Sequence, residues 1–365
     1  MKVRYSYLKQ QFSNAPDLWS KLKKFVNTGD FTLGKELTIF EKKFANLIGT
    51  KYAVGVNSGT DAIKLSLKVL DIKPGDEVIT AANTFVATVG AICELGAIPI
   101  FVDCDDSFCM NVDLIEKSIT KKTKAIVPVH FTGYMTNMIK LNKIAKKYKI
   151  PVVEDACQSI LASINNKNSG TWSDFGAFSL HPLKNINVWS DGGIIVTSNK
   201  KYYEHLKLLR NHGLVDRDNV KICGYNSRLD TIQAVVGNWL IPSAKKIANQ
   251  RIKNANYYDS HLKKINEITI PPRIKNYKIV YHLYIVFAEN RDALLRHCLK
   301  KGIEAKVHYP IPMYRQSAMK FLNHKEGDFP ITDRHAKSII SFPCDQHLSK
   351  SQMDYVIKCV REFYS

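Results

Sequence analysis

Short apolar runs alternate with amphipathic stretches through about residue 200. The runs predict strands over Ala53–Asn57, Glu77–Ala81, Ile98–Asp103, Ala125–Phe131, Pro151–Ala156, Phe175–Leu180 and Gly192–Ser198. The stretches around them predict helices over Leu33–Ile48, Thr60–Leu70, Phe85–Leu95, Val112–Ile119, Met138–Lys149 and Lys201–Asn211. The helix from Thr60 carries Ile63, Leu67 and Leu70 at i, i+4 and i+7, one apolar stripe for packing on a sheet. Pro74-Gly75-Asp76 follows it as a turn signal. Nearly all-apolar strands, each followed by a helix, indicate a mostly parallel sheet covered on both faces.

After Pro242 the texture changes. A long polar helix, Ser243–Leu262, leads to a break at Pro271-Pro272, then to Ile279–Phe287, Ala293–Lys301 and a final helix over Ser349–Phe363. The expected organisation is therefore a large α/β domain over residues 1–242 and a smaller α+β domain over 243–365.

The chain has 365 residues, 45% hydrophobic and 24% charged, which excludes disordered and fibrous classes. No window approaches twenty uninterrupted apolar residues, and the start lacks the apolar run of a signal peptide, so a cytoplasmic location is expected. The net charge of +20 raises the question of nucleic acid. Of the 53 basic residues 42 are Lys, spread along the whole chain rather than clustered, which reads as solvated helix faces. The charge suits an anionic small substrate equally well, and no nucleic-acid or membrane partner is expected. The eight cysteines form no C-x-x-C pair and no His cluster supplies ligand spacing, so free thiols and no metal are expected.

Three stretches carry chemistry. Asn57-Ser58-Gly59-Thr60-Asp61 lies between a buried strand and a helix, where small residues and orphan N–H groups suit an anion. A plain helix cap reads the same way. Glu154-Asp155 ends an apolar strand, on the side where open α/β sheets bind ligands, although a loop carboxylate would also sit there. Phe178-Ser179-Leu180-His181-Pro182-Leu183-Lys184-Asn185 puts a lysine just past another strand. A half-buried lysine has a lowered pKa, and its neutral amine forms Schiff bases; a lysine at a loop tip is the bland alternative. Together the three are more specific. A strand-end Asp155, Lys184 placed 29 residues later and an upstream phosphate cradle are what pyridoxal 5'-phosphate requires.

The chain resembles the pyridoxal-phosphate-dependent sugar aminotransferases of the DegT/DnrJ/StrS family almost end to end. Besides the three stretches, its marks are Pro74-Gly75-Asp76-Glu77-Val78, Asp191-Gly192-Gly193, Gly224-Tyr225-Asn226-Ser227-Arg228-Leu229-Asp230, Tyr281-His282-Leu283-Tyr284 and His308-Tyr309-Pro310-Ile311-Pro312. The resemblance implies aminotransferase fold type I and a homodimer with shared active sites. It implies that Lys184 holds the cofactor and shuttles the proton, and that Asp155 pairs with the pyridine nitrogen. Gln158 then neighbours the cofactor hydroxyl, and Gly59, Thr60 and Ser179 form the phosphate cup. Phe85 stacks on the ring, and Asn226 reaches the phosphate of the other subunit. His181, Asn185, Arg228, His308 and Tyr314 fall at substrate-facing positions.

Three positions depart from the family. Ser190 stands where a Gly is usual, Tyr314 where a substrate-proximal His is common, and the stretch Gly133–Met138 lacks the usual Pro and Asp. Relatives that replace the lysine by His become dehydratases, and Lys184 argues against that branch. The activity implied is transfer of an amino group from glutamate or glutamine to a keto-sugar, nucleotide-linked, for amino sugars of surface glycans such as lipopolysaccharide O-antigen. Asp61 resembles relatives that aminate C3 rather than C4. Another fold-type-I enzyme (a lyase or sugar dehydratase) and a non-catalytic regulator are the rival readings.

Overall fold

The computed structural model describes residues 1–365. Its centre is a seven-stranded sheet built from Tyr52–Val56, Glu77–Ala81, Ile98–Val102, Thr123–Val127, Val153–Asp155, Phe175–Ser179 and Gly193–Thr197. Across the sheet the order begins at Ile98–Val102, then Glu77–Ala81, Thr123–Val127, Val153–Asp155, Phe175–Ser179, Gly193–Thr197 and Tyr52–Val56. Parallel bridges Ile126–Val152 and Val129–Asp155 join its two halves. All strands run one way except Gly193–Thr197, which is antiparallel to both neighbours. Residues 180–192 contain no crossover helix, so the chain turns straight back, and a parallel return is closed to it.

Local chemistry explains where the predicted elements stop. Pro128 has no N–H to donate, and the strand expected to reach Phe131 ends at Val127. The connection over residues 156–174 carries a small hairpin in place of a helix. Its two turn residues, Asn165 and Asn166, both adopt the positive φ of a type I′ turn. The helix expected over Val112–Ile119 shrinks to a 3₁₀ turn and Ile115–Ser118. The strand expected from Ile279 starts only at Tyr284, because Tyr281 has a φ of 47° and residues 280–283 turn onto the 132–133 loop. Helices Pro16–Val26, Thr231–Leu240 and Pro330–Ser338 and strand Ile339–Phe342 were not among the predicted elements.

A second, smaller core lies under the antiparallel strands Ile268–Thr269, Tyr284–Ala288 and Ile339–Phe342, with helices Arg291–Lys300 and Lys350–Tyr364 against them. The helix Ala244–Leu262 serves both units. Ala244, Ile247 and Ala248 pack in the large core, and Ala255, Tyr258 and Leu262 in the small one. The amino end also belongs to the small core: Val3 and Tyr7 are buried there, far in sequence from the rest of it. No helix is long and apolar enough to cross a membrane.

Candidate active site

A cavity of about 380 Å³ opens at the carboxyl ends of the sheet strands, where the small unit leans over them. One wall starts at Ser58, whose side chain caps the helix Gly59–Val69 by accepting from Asp61 N at 3.1 Å. A Cβ on Gly59 would sit 2.8 Å from Ser179 Cβ and 2.9 Å from Cys157 Sγ. Glycine there is what lets the helix N-terminus close on the ends of two strands. Gly193 does the same from below, since a Cβ on it would lie 2.1 Å from Ser58 O. Gly59, Thr60 and Ser179 thus form one rim of donors, with the positive end of a helix behind it.

Glu154 and Asp155 are adjacent, and strand alternation sends them to opposite faces. Glu154 turns away from the cavity, pairs with buried His130 at 2.9 Å and accepts from Gly170 N, Trp172 N and Ser173 Oγ. It is an anchor for the loop. Asp155 faces the cavity. Its Oδ2 accepts from Thr88 Oγ1 at 2.7 Å and its Oδ1 from Cys157 N at 3.1 Å. Thr88 has a single proton, which it gives to Asp155, so Thr84 donates to Thr88 across their 2.7 Å contact. Two hydroxyls in series therefore fix the carboxylate.

Lys184 sits on the turn after the Phe175–Ser179 strand, its N–H bonded to His181 O at 2.8 Å. Its side chain is partly exposed, but its amine is enclosed and pairs with no carboxylate. Burial holds its amine below the ordinary lysine range, and the Asp155 carboxylate draws it partly back. His181 is held down by burial and by Lys184. Burial pushes the Cys157 thiol well up, which keeps it protonated beside the lysine. Gln158 is buried and accepts from Thr132 N at 2.8 Å. Phe85 stands at the mouth, 51% exposed, with its ring 6.0 Å from Tyr309.

These residues fit a phosphorylated pyridine aldehyde. They offer an uncompensated buried amine, a fixed carboxylate, a donor-lined helix end and an aromatic face in one enclosure. The profile of the DegT/DnrJ/EryC1/StrS aminotransferase family matches residues 14–361. The chain belongs to this family. The pleiotropic regulatory protein of Geobacillus stearothermophilus is 34% identical over 100% of the chain and 99% of its own length. The dTDP-3-amino-3,4,6-trideoxy-alpha-D-glucose transaminase of Streptomyces venezuelae is 35% identical over 100% of the chain and 94% of its own length. The crystal structure of S. venezuelae DesV with a ketimine intermediate superposes with a TM-score of 0.97 at 34% identity, covering 100% of this chain and 99% of that one. Five relatives at 33% to 35% identity are named for 3-amino or 3-oxo sugars. Solved structures of the same fold contain the cofactor as pyridoxal and as pyridoxamine phosphate. The protein is a pyridoxal-phosphate-dependent aminotransferase.

The cavity gathers Gly59, Thr60, Phe85, Asp155, Gln158, Ser179, His181, Lys184 and His308. Four expected residues lie outside it. Asn185 is buried behind the lysine turn, donating to Val280 O at 3.3 Å. Asn226 is exposed on the surface, and Arg228 donates to Asn211 Oδ1 at 3.1 Å. Tyr314, expected at the substrate, is buried against Phe329 with its hydroxyl on Asp333. The segment after Pro312 turns it into a separate apolar cluster with Met313 and Met319, off the cavity wall. Ser190 keeps an ordinary φ because Trp189 takes the left-handed position, so the turn accommodates the missing glycine.

Sequence reasoning missed Thr88, His282, Lys306 and the amino-terminal Tyr5, all on the cavity wall. His282 was within reach, since it lies in the Tyr281–Tyr284 run. Thr88 follows Phe85 by three residues, one helical turn. Nothing local marks Tyr5 or Lys306.

Proposed function

We propose that the protein moves an amino group from glutamate or glutamine to C3 of a nucleotide-linked keto-sugar, for amino-sugar and surface-glycan synthesis. The observation that carries this reading is Lys184, a buried amine without a counter-ion in the enclosure that also holds Asp155. When bound, pyridoxal phosphate supplies the electron sink. The rim of Gly59, Thr60 and Ser179 binds its phosphate, and Phe85 covers its ring. Asp155, fixed by Thr88 and Cys157 N–H, holds a proton on the ring nitrogen. Lys184 Nζ takes the donor's α-proton and returns a proton to the sugar carbon. Its burial favours the neutral amine, the form able to accept that proton.

The C3 assignment is supported by the relatives named for 3-amino and 3-oxo sugars. Asp61 itself makes no substrate wall: it pairs with Lys64 at 2.9 Å, and Lys64 lies 4.8 Å over the Tyr225 ring. Through Lys64 it is tied to Tyr225 of the 224–228 segment. That segment supports a homodimer in which Asn226 reaches the partner's phosphate cup. Asn226 is exposed, and so are the apolar side chains of Phe85, Leu183 and Trp189. A two-fold interface would cover both at once. A regulatory role, as in the name of the Geobacillus relative, gives no reason to keep Lys184 uncompensated.

The test is a panel of UDP- and dTDP-linked 3-keto and 4-keto hexoses, assayed with glutamate and with glutamine for oxo-acid release. Turnover of a 3-keto substrate is expected. Turnover of 4-keto substrates alone removes the C3 assignment, and no turnover with any member removes the sugar aminotransferase reading.

A further inference from the structure

Across the cavity from Asp155, polar groups converge with no acidic side chain among them. The acidic residues on the cavity wall, Asp155 and Asp191, both come from the sheet side. Facing them are Tyr5, His282, Lys306 and His308.

The amino-terminal arm builds the outer part of this wall. Val3 N donates to Gly302 O at 2.9 Å and Glu304 N to Val3 O at 2.9 Å, while Tyr5 N donates to Glu304 Oε2 at 2.8 Å. These bonds lay the Tyr5 ring beside the Lys306 ammonium, 4.7 Å from the ring centroid, and 5.8 Å from the His308 ring. An aromatic face orients an ammonium without neutralising it, and Lys306 meets no carboxylate. Deeper in, His308 Nδ1 contacts Ser341 Oγ at 2.8 Å, which leaves Nε2 free. The enclosed Tyr5 hydroxyl and His282 Nδ1 have no hydrogen-bond partner. Burial and the nearby cations Lys184 and Arg251 hold His282 neutral. Burial, Lys306 and Lys184 hold His308 down at about 4. A wall with an unpaired ammonium, an unpaired hydroxyl and two neutral imidazoles lacks one thing, an acceptor carrying negative charge.

We propose that Tyr5, His282, Lys306 and His308 form a carboxylate subsite. All four line the same cavity as Lys184, so the carboxylate bound there lies close to the reacting carbon. Two molecules bring one to that place: the amino donor, and a keto-sugar of the uronate type. Which molecule carries the group rests on the aminotransferase reading; the subsite itself does not.

The test is calorimetric titration of the holoprotein with three probes that are not transaminated: glutarate (glutamate without its amine), glucuronate and UDP. The wild type should bind at least one of the two carboxylates. Lys306→Met and Tyr5→Phe should weaken that binding about tenfold or more, Lys306→Arg should restore most of it, and UDP affinity should not change. A loss confined to glutarate assigns the carboxylate to the donor, and one confined to glucuronate assigns it to the sugar. Equal affinities across the variants, no binding of either carboxylate by the wild type, or a loss seen with UDP alone overturns the proposal. Lys306 is exposed, so its variants keep the fold, and melting temperatures check this. A wild type that binds glutarate yet releases no oxo acid from either glutamate or glutamine refutes the donor reading and leaves the subsite standing.

Discussion

Asp155 on the sheet side of the cavity has both oxygens engaged, by Thr88 and by Cys157 N–H, and Ser179, Gly59 and Ser58 are locked by contacts a side chain could not enter. On the opposite side Lys306 is unpaired, and Tyr5 and His282 carry enclosed polar atoms with no partner. The first wall is finished before anything binds, which is how a group that never changes between reactions is held. The second is complementary to charge that arrives with the substrate. The difference teaches where variation is tolerated: on the finished wall a change disturbs every turnover, and on the open wall it redirects which molecule is accepted.

The largest effect that would test this division is at Lys184. Lys184→Ala should lower turnover by about four orders of magnitude or more and abolish the borohydride-reducible link to the cofactor, with the fold intact by circular dichroism. A variant that still transaminates at the wild-type rate would remove Lys184 from the chemistry. In the wild type, burial favours the neutral amine. Cofactor recapture by the apo protein should therefore rise with pH through a midpoint below the free lysine value of about 10.4, followed by absorbance. Next in size, Asp155→Ala should cost about 3 kcal/mol in transition-state stabilisation, over a hundredfold in kcat. A loss of only a few-fold would show that another group serves the ring nitrogen.

The sheet wall was largely legible in the sequence, and the reason is local. Asp155, Ser179 and Lys184 each follow an apolar run whose strand character fixes where its end lies, and Gly59 opens a helix whose stripe is plain in Ile63 and Leu67. The other wall was not, because long-range contacts build it. Tyr5 is placed by Glu304 and Lys306, some three hundred residues away, and no periodicity reports such a meeting. The misread strand at Ile279 has the same origin. Its apolar residues bend at Tyr281 to meet Gly133 and Thr132, and a run of apolar letters does not say which partner it will choose.

A smaller effect sharpens the account of how the finished wall is held. Thr88→Val keeps the shape of the side chain and removes the donor to Asp155 Oδ2. Leaving that oxygen without its partner should cost about 1–3 kcal/mol, around tenfold in kcat or more, with a shift in the absorbance of the bound cofactor. Thr88→Ser should recover most of both. A change in protein stability without any change in the spectrum would make Thr88 a packing residue only.

Tyr314 gives the smallest effect on catalysis and the cleanest check on where the open wall ends. The family pattern puts this position beside the substrate, whereas its ring here packs on Phe329 and its hydroxyl donates to Asp333. Asp333 keeps a second partner, Gly327 N at 2.8 Å, so Tyr314→Phe removes one of two bonds to a buried carboxylate. The expected cost is about 1–3 kcal/mol of stability, seen as a lower melting temperature. Both kcat and the KM for the keto-sugar should stay within about twofold of wild type, because no cavity atom moves. A rise in the sugar KM at unchanged melting temperature would mean that the segment after Pro312 swings Tyr314 onto the substrate during turnover, and the wall would then extend beyond His308.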